Sequence, residues 1–394
     1  MIIRKLQGEE RFDASLISGY CFHARIQDLE KEREKALLGT EDDWGAFTED
    51  GTLMAHIIDT RFPFFVDGTV VCSGGIGAVS TLPEYRNQGA VRAVFRELLP
   101  AAYRDGEVIS VLYPFNHGFY RKQGYETVVH QNVYTLKPAF LSSFRFDGTV
   151  TRWNPGESAA PFLEIYSSFA RNYNLAMDRD EKCMLSHIKC DNLYLDRKFT
   201  YLLEKDGTGL SYVTFTDIRH DPQAVLRVDE CAWTCREGFR AILAFLARFD
   251  ADYGTVELPL PAGIDLLRIL HSPQAYDVVK TSRQNAMVRV INAEKLLDVI
   301  HKPAACDFLI RVHDELIPEN NGIWRVTSDG VISCEEDSIP EPDLDVSEKA
   351  LAQLCVGAVN LDEAMLRDDV TVLHKDRMLR GVFAEKKIYI SEQF

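Results

Sequence analysis

Between residues 74 and 98 the chain reads GGIGAVSTLPEYRNQGAVRAVFREL. An apolar run passes through a short polar stretch into Val91, Val94, Phe95, Leu98, Leu99 and Ala102, spaced as on one face of a helix. Strand, loop and helix in direct succession make an anion site. The first amides of a helix have no acceptor within it, and its dipole is positive there. Gly89 lets a ligand approach the backbone, and Arg86 and Arg92 add charge, so a pyrophosphate fits. The other reading is a hairpin and helix whose arginines are simply solvated. Gly75-x-Gly77-x-x-Ser80 resembles a dinucleotide fingerprint only superficially, because the third glycine is missing and Pro83 intervenes before any helix. No GxxxxGK[ST] and no GxSxG occurs, so neither a nucleoside-triphosphatase loop nor a serine nucleophile elbow is present.

The elements that would carry this stretch can be read outward from it. FDASLISGYCFHARI, with Asp13 as expected N-cap, and QDLEKEREKALLG, closing at Gly39, are amphipathic helices. WGAFT, TLMAHIID, PFFV and TVVCSGGIGAVS are apolar strands, with Asp50-Gly51 and Asp67-Gly68 as hairpin turns. Pro100 is expected to kink or shorten the helix after Gly89. EVISVLYP reads as a buried strand, followed by FYRKQGYETV and a last strand, VVHQNVYTL. A second segment, about 150 to 285, repeats the ending in degenerate form: strand QAVLRVDECAWT, helix REGFRAILAFLARFD, strand YGTVELPLP. A third, from about 286, has MVRVI, a helix NAEKLLDVI, strands DFLIRVHD and GIWRVT, a helix started by Asp345 with Glu348 three residues on, and a terminal strand KKIYISEQF. That is an α+β module.

The chain's 394 residues make two or three domains. A formal net charge of −16 argues against a broad nucleic-acid surface. Hydrophobic content of 46% with 26% charged residues is that of a chain able to bury several cores. Charges break the N-terminal MIIRKLQGEERF, so no signal-peptide core is expected. AILAFLA, at 241–247, is far short of the roughly 20 residues of a membrane span. The nine cysteines are odd in number and scattered, with no CxxC pair, which fits reduced thiols in the cytoplasm and no metal centre. Cys231 and Cys235, four apart, have no neighbouring ligand set and read as packing.

Arg86-Asn87-Gln88-Gly89-Ala90-Val91 resembles the pyrophosphate loop (Q/R)-x-x-G-x-(G/A) of the GNAT acetyltransferases, departing at Val91. The preceding VSTLPEYR and the later FYRKQGY resemble the same family's flanking motifs. The whole chain resembles the Eis (enhanced intracellular survival) acetyltransferases. The fold this implies is α+β, with an active GNAT domain at 1–148, a degenerate one at 149–286 with only Arg236-Glu237-Gly238 where the loop would be, and a sterol-carrier-like domain at 287–394.

The resemblance implies acetyl-CoA as co-substrate and no metal. Val79, Ser80 and Thr81 would lie along the pantetheine, while Asn87, Gln88, Gly89, Ala90, Val91 and Arg92, with Arg86, cradle the phosphates. Phe115 and Asn116 would touch the thioester end, Tyr120 would lie near the sulfur, and the C-terminal carboxylate of Phe394 would reach the first domain's site. It implies a homohexamer that acetylates a small-molecule amine, aminoglycoside-like or polyamine, with neither nucleic acid nor membrane as partner. A non-catalytic protein holding a lipid or partner in the third domain is the alternative.

Acyl transfer from thioester to amine needs a deprotonated nucleophile, oxyanion stabilisation and a proton for the departing thiolate. A backbone N–H at Val79 suits the second task and Tyr120 the third. The α-carboxylate is a weak base, so it is expected to hold the ammonium and take its proton only as attack proceeds. His23, His56, His117 and His130 are further candidate bases, of which His117, close to Tyr120, is the best placed. Acidic Asp28, Glu30 and Glu392 are candidates for attracting a polyamine.

Overall fold

The computed structural model describes residues 1–39, 42–188, 198–218, 224–271, 277–335 and 341–392, apart from the side chains of 129, 130 and 283–285. The chain divides into two compact units, one of residues 1–128, 286–385 and 392, the other of 129–285 and 386–391.

In chain order, the first unit begins with β1 (Ile2–Lys5), α1 (Glu10–Cys21), α2 (Leu29–Leu37), β2 (Asp43–Phe47), β3 (Leu53–Val66) and β4 (Thr69–Thr81). It continues through α3 (Ala90–Arg104), β5 (Ile109–Leu112), α4 (His117–Arg121) and the start of β6 (Glu126–Leu136). The second unit takes the rest of β6, then β7 (Thr149–Arg152), α5 (Ala160–Ala170), α6 (Glu181–His187), β8 (Lys198–Lys205), β9 (Thr208–Ile218), β10 (Val225–Trp233), α7 (Arg236–Leu246), β11 (Thr255–Pro261) and most of β12 (Val278–Val290). The chain then returns to the first unit with α8 (Ala293–Val299), β13 (Asp307–His313), β14 (Gly322–Thr327), β15 (Gly330–Cys334), β16 (Leu344–Ser347), α9 (Glu348–Val356), α10 (Leu361–Ala364), β17 (Val370–Val372) and α11 (Asp376–Val382).

In the first unit β1 to β4 form an antiparallel meander, β5 joins β4 in parallel, and residues 287–290 of β12 close the far side of β5, Met287 opposite Leu112. The α3 residues Val94, Phe95, Leu98, Leu99 and Ala102 pack into one core with Met54, Ile76, Leu112 and Met287. Ile317 belongs to that core too, so the sterol-carrier-like sheet, ordered β15-β14-β13-β16-β17, is built onto it. A fully buried pair ties the same parts together, Arg289 to Asp314 at 2.7 Å. Burial pushes the Asp314 carboxyl up, but the guanidinium beside it outweighs that and holds it below the ordinary range.

Four expectations are corrected. Asp13 is not the cap of α1, which starts at Glu10 after Glu9, because the Glu10 carboxylate takes the Gln7 N–H and the Arg4 guanidinium and fixes the first turn earlier. TLMAHIID and PFFV are one strand, β3, which runs through Pro63 to Val66. Pro100 neither ends nor shortens α3, which continues to Arg104. Asp345 lies inside β16 with its carboxylate on His313 at 2.7 Å, and Ser347 caps α9 instead.

In the second unit the sheet order is β6-β11-β10-β9-β8-β7, with β10 and β11 parallel, and α7 buries Phe239, Ile242, Leu243 and Leu246 on it. The expected terminal strand KKIYISEQF is absent from residues 386–392. Its apolar residues are used for burial rather than pairing: one bridge joins Asn174 to Ile388, and Tyr389 packs edge-on to Phe169 at 5.1 Å between centroids.

Candidate active site

β3 and β4 pair from Val66↔Thr69 outward, but Ser80 faces His56 while Gly77 faces Ile58, so β4 spends one residue more than β3 over this interval. That bulge is where Ala78 takes a positive φ of 51°, and it bends the strand. On the other side β4 pairs with β5 only from Ser73↔Ile109 to Ile76↔Leu112. Past that point the residues from Gly77 to Thr81 keep β3 but have no ladder partner on the β5 side among the described residues. This is a backbone edge able to bind an extended amide-containing chain.

The loop after β4 turns through left-handed residues at Asn87 (φ 63°) and Gly89 (φ 82°). Gly89 stands at the N-cap of α3 and offers no side chain to its first amides, whereas α2, α4, α6, α8, α9 and α10 are capped by Asp28, Asn116, Asp180, Asn292, Ser347 and Asn360. A Cβ at Gly89 would meet nothing within 4 Å, so glycine is needed here for its backbone angle and for access rather than for packing. In front of this helix start lies a cavity of about 700 Å³.

Its walls bring together most of the residues singled out from sequence: Val79, Ser80 and Thr81 from the open edge, Arg86, Asn87, Gly89, Ala90, Val91 and Arg92 from the loop and helix, and Phe115. Three others are placed elsewhere. The Gln88 amide donates to Glu84 O at 2.9 Å, and Asn116 spends its side chain capping α4 by accepting from Phe119 N at 3.0 Å. Tyr120 is buried in an aromatic cluster, its centroid 5.1 Å from Phe119 and 5.2 Å from Phe115. That burial pushes its phenol well above the ordinary tyrosine range. Phe394 lies outside the described residues, as does the His130 side chain. The chain just before Phe394 is held in the first unit, where Tyr113 Oη, directly after β5, donates to Glu392 O at 2.6 Å.

Sequence reasoning missed Cys21, Phe22, Tyr85 and Phe119, which also line the cavity. Cys21 and Phe22 reach it from the end of α1; Phe22 is an apolar residue left exposed at a helix end, a weak signal that only the fold makes readable. Among the histidines, His117 begins α4 with a buried Nε2 that has no hydrogen-bond partner among the described residues. His56 is buried, facing α1 and β2.

Bulge, diverging parallel strands and an uncapped glycine-led helix together leave a backbone edge and free helix amides facing one cavity. Residues 2–128 and 175–290 match family models of the acetyltransferase (GNAT) domain, and residues 293–391 match the sterol carrier protein domain. The chain is an N-acetyltransferase built of two GNAT domains and a sterol carrier protein domain. Its fold is that of a GCN5-related N-acetyltransferase from Anabaena variabilis ATCC 29413 (20% identity, TM-score 0.86, all of both chains covered). It is also that of Eis1 from Mycobacterium abscessus (19%, 0.83, all of both chains) and of a probable N-acyltransferase from Enterococcus faecalis V583 (19%, 0.85, 98% of this chain and 97% of that one). No curated protein matches the chain by sequence. No helix among the described residues is long and apolar enough to cross a membrane.

Proposed function

We propose that the first unit transfers the acetyl group of acetyl-CoA to an amine of a small molecule, aminoglycoside-like or polyamine. The observation that carries this reading is the uncapped start of α3 opening onto the cavity that the free edge of β4 also lines. The amides of Ala90, Val91 and Arg92 hold the pyrophosphate, Asn87, Gln88 and Gly89 form the turn that presents them, and Arg86 and Arg92 supply countercharge. The pantetheine lies along Val79, Ser80 and Thr81, with the Val79 N–H on the thioester oxygen and Phe115 and Asn116 beyond the acetyl end.

Tyr120 protonates the departing thiolate. In water that transfer is uphill by about 2 kcal/mol, from reference values of about 10 for tyrosine and 8.5 for a thiol. Burial raises the phenol and makes it a poorer acid, while the same desolvation makes the thiolate more basic, so the two shifts act against each other. The Phe394 carboxylate holds the acceptor ammonium, an assignment supported by the anchoring of Glu392 on Tyr113 two residues before Phe115. The working state is a homohexamer in the cytoplasm, a compartment in keeping with the eight described cysteines, none of them in a disulfide.

The reading is tested by thiol release from acetyl-CoA with a panel of amines, alongside the melting temperature with acetyl-CoA. Turnover with at least one amine and a raised melting temperature are expected; stabilisation by an apolar ligand alone would overturn the reading. Extending the chain beyond Phe394 moves the terminal charge and is expected to abolish turnover, whereas an N-terminal tag is tolerated. Deleting Phe394 moves the carboxylate back by about 3.3 Å and should cost much of kcat/KM. Full activity of the extended form, at equal melting temperature and oligomer size, would remove Phe394 from the mechanism.

A further inference from the structure

His56 is 3% exposed, and its Nε2 has no hydrogen-bond partner among the described residues. Its Nδ1 lies 3.3 Å from Ser18 Oγ on α1, and Ser18 Oγ lies 3.3 Å from Ser80 Oγ on β4. Ser80 is the cross-strand neighbour of His56 beside the bulge, and it lines the cavity next to Val79. On the ring's far side Asp43 Oδ1 from β2 stands 3.9 Å from Nε2, and Arg11 Nε from α1 stands 3.7 Å from the other oxygen of the same carboxylate. Two hydroxyls therefore connect the cavity wall to a buried imidazole that has a carboxylate behind it. Nothing in the packing of an apolar core calls for such a line of groups, and burying it without a use is costly.

Resting on the acetyl-transfer reading, we propose that Ser80, Ser18 and His56 form a proton relay that carries the acceptor ammonium's proton out of the cavity, with Asp43 as its countercharge. Asp43 faces Nε2 with acceptor atoms only, so that nitrogen carries the ring proton and Nδ1 accepts from Ser18. Before the nitrogen can attack the thioester, one N–H bond of the ammonium breaks and its proton passes to Ser80 Oγ; a second N–H proton leaves as the amide forms and replaces the one that Tyr120 gives to the thiolate. Ser80 gives its own proton to Ser18 Oγ, and Ser18 gives its own to Nδ1. Each hydroxyl ends as it began, and the one net change is an imidazolium beside Asp43. The proton is returned to water between turnovers. The bulge serves the relay, since the extra residue in β4 sets Ser80 opposite His56 rather than out of step with it.

An imidazole is about 3 units more basic than an α-carboxylate. The two groups therefore divide the work: the chain terminus holds the ammonium, and the relay takes the proton. Both links are long for O–H donors, as catalytic hydrogen bonds often are before substrate binds. Ser18, which does not line the cavity, is a transfer group on which acetyl-CoA affinity does not depend.

The test compares wild type, His56→Gln, Ser18→Ala and Ser18→Thr in thiol release, with acetyl-CoA affinity by calorimetry and kcat/KM against pH. The groups facing the ring that enter the pH profile are Asp43 from β2 and Arg11 from α1. Ser18→Ala is expected to lower kcat at least tenfold with unchanged acetyl-CoA affinity, and Ser18→Thr, which keeps a hydroxyl, to restore most of it. His56→Gln, which keeps a polar side chain but cannot take the proton, is expected to lower kcat at least tenfold with unchanged acetyl-CoA affinity. If His56→Gln does not fold, the Ser18 pair decides. A folded Ser18→Ala with wild-type kcat and pH profile would overturn the relay while leaving acetyl transfer standing. A wild type that releases no thiol with any amine would overturn both.

Discussion

The two GNAT domains put the same device to opposite uses. In the first, β4 and β5 part after Ile76 and Leu112, and β4 continues along a cavity of about 700 Å³. In the second, β10 and β11 part after Arg227 and Glu257, and β10 continues past a shift in register between Val228 and Glu230 into residues that are buried. Glu230 accepts from Arg179 at 2.7 Å and from Tyr212 Oη at 2.5 Å, and Arg179 lies 3.8 Å over the Tyr166 ring and donates to Ser391 Oγ. Neither helix start carries a side-chain cap, and the two differ in the space before them. A Cβ at Gly89 meets nothing, while one at Gly238, in the first turn of α7, would collide with Leu210 O. Diverging strands thus create a gap by geometry alone. Whether the gap becomes a binding site depends on which side chains the sequence sends into it.

Breaking the filled gap should have the largest effect. Arg179→Ala leaves Glu230 buried without its guanidinium, and losing one partner of a buried pair costs about 3–5 kcal/mol. A large fall in melting temperature, with acetyl-CoA affinity retained below the transition, is expected. A small fall would mean that the second unit's gap is filled by packing rather than held by charge. Next comes the open gap: Tyr120→Phe removes one proton donor and keeps the ring, so kcat should drop by about 10- to 100-fold, or about 1.4–2.7 kcal/mol, with acetyl-CoA affinity unchanged. Wild-type kcat in that variant would make Tyr120 a core aromatic only.

The smallest effect distinguishes the units by pH. In the first, Asp59 Oδ1 and Glu107 Oε2 are buried with no hydrogen-bond partner among the described residues, near Gly74, where a Cβ would collide with both. Burial first, and then the charge of Asp42, pushes Asp59 up to about 7, and burial and then the charge of Asp59 push Glu107 up to about 8. Their folded values exceed the unfolded ones, so the stability they contribute is full below about pH 4 and is lost as pH rises through 7 to 8. Glu230 is the reverse. Burial raises it, but Arg179 outweighs burial and holds it at about 2, so its contribution is present above the usual carboxylate range and lost only as pH falls toward 2. Asp59→Asn should raise the melting temperature at pH 8 by a few degrees and leave it unchanged at pH 4. A fall at pH 8 would show that the pair is stabilising as charged groups.

The strand, loop and helix around Gly89 were legible because they are local backbone chemistry: a strand, Gly89 and an amphipathic helix stand next to one another in the chain. The order of most strands and helices was readable for the same reason. What could not be read were the arrangements fixed by distant partners. Asp345 looked like a cap until β16 claimed it as a strand residue, and KKIYISEQF alternates like a strand but buries Tyr389 against Phe169. Residues 287–290 complete the first unit's sheet although they are the last residues of the stretch that matches the second GNAT domain. The line from Ser80 to His56 joins residues from three elements, and no spacing along the chain encodes it.

The comparison comes down to a count of cofactor sites. Titration calorimetry of acetyl-CoA into the wild type and Gly89→Asp measures it directly, since an aspartate there forces a side chain into a left-handed backbone position and sets a negative charge before the first amides of α3. One site per chain in the wild type and its loss in a Gly89→Asp protein of wild-type melting temperature are the predicted results. Two sites per chain, or one that survives in Gly89→Asp, would contradict the assignment of the open gap to acetyl-CoA and of the filled gap to structure.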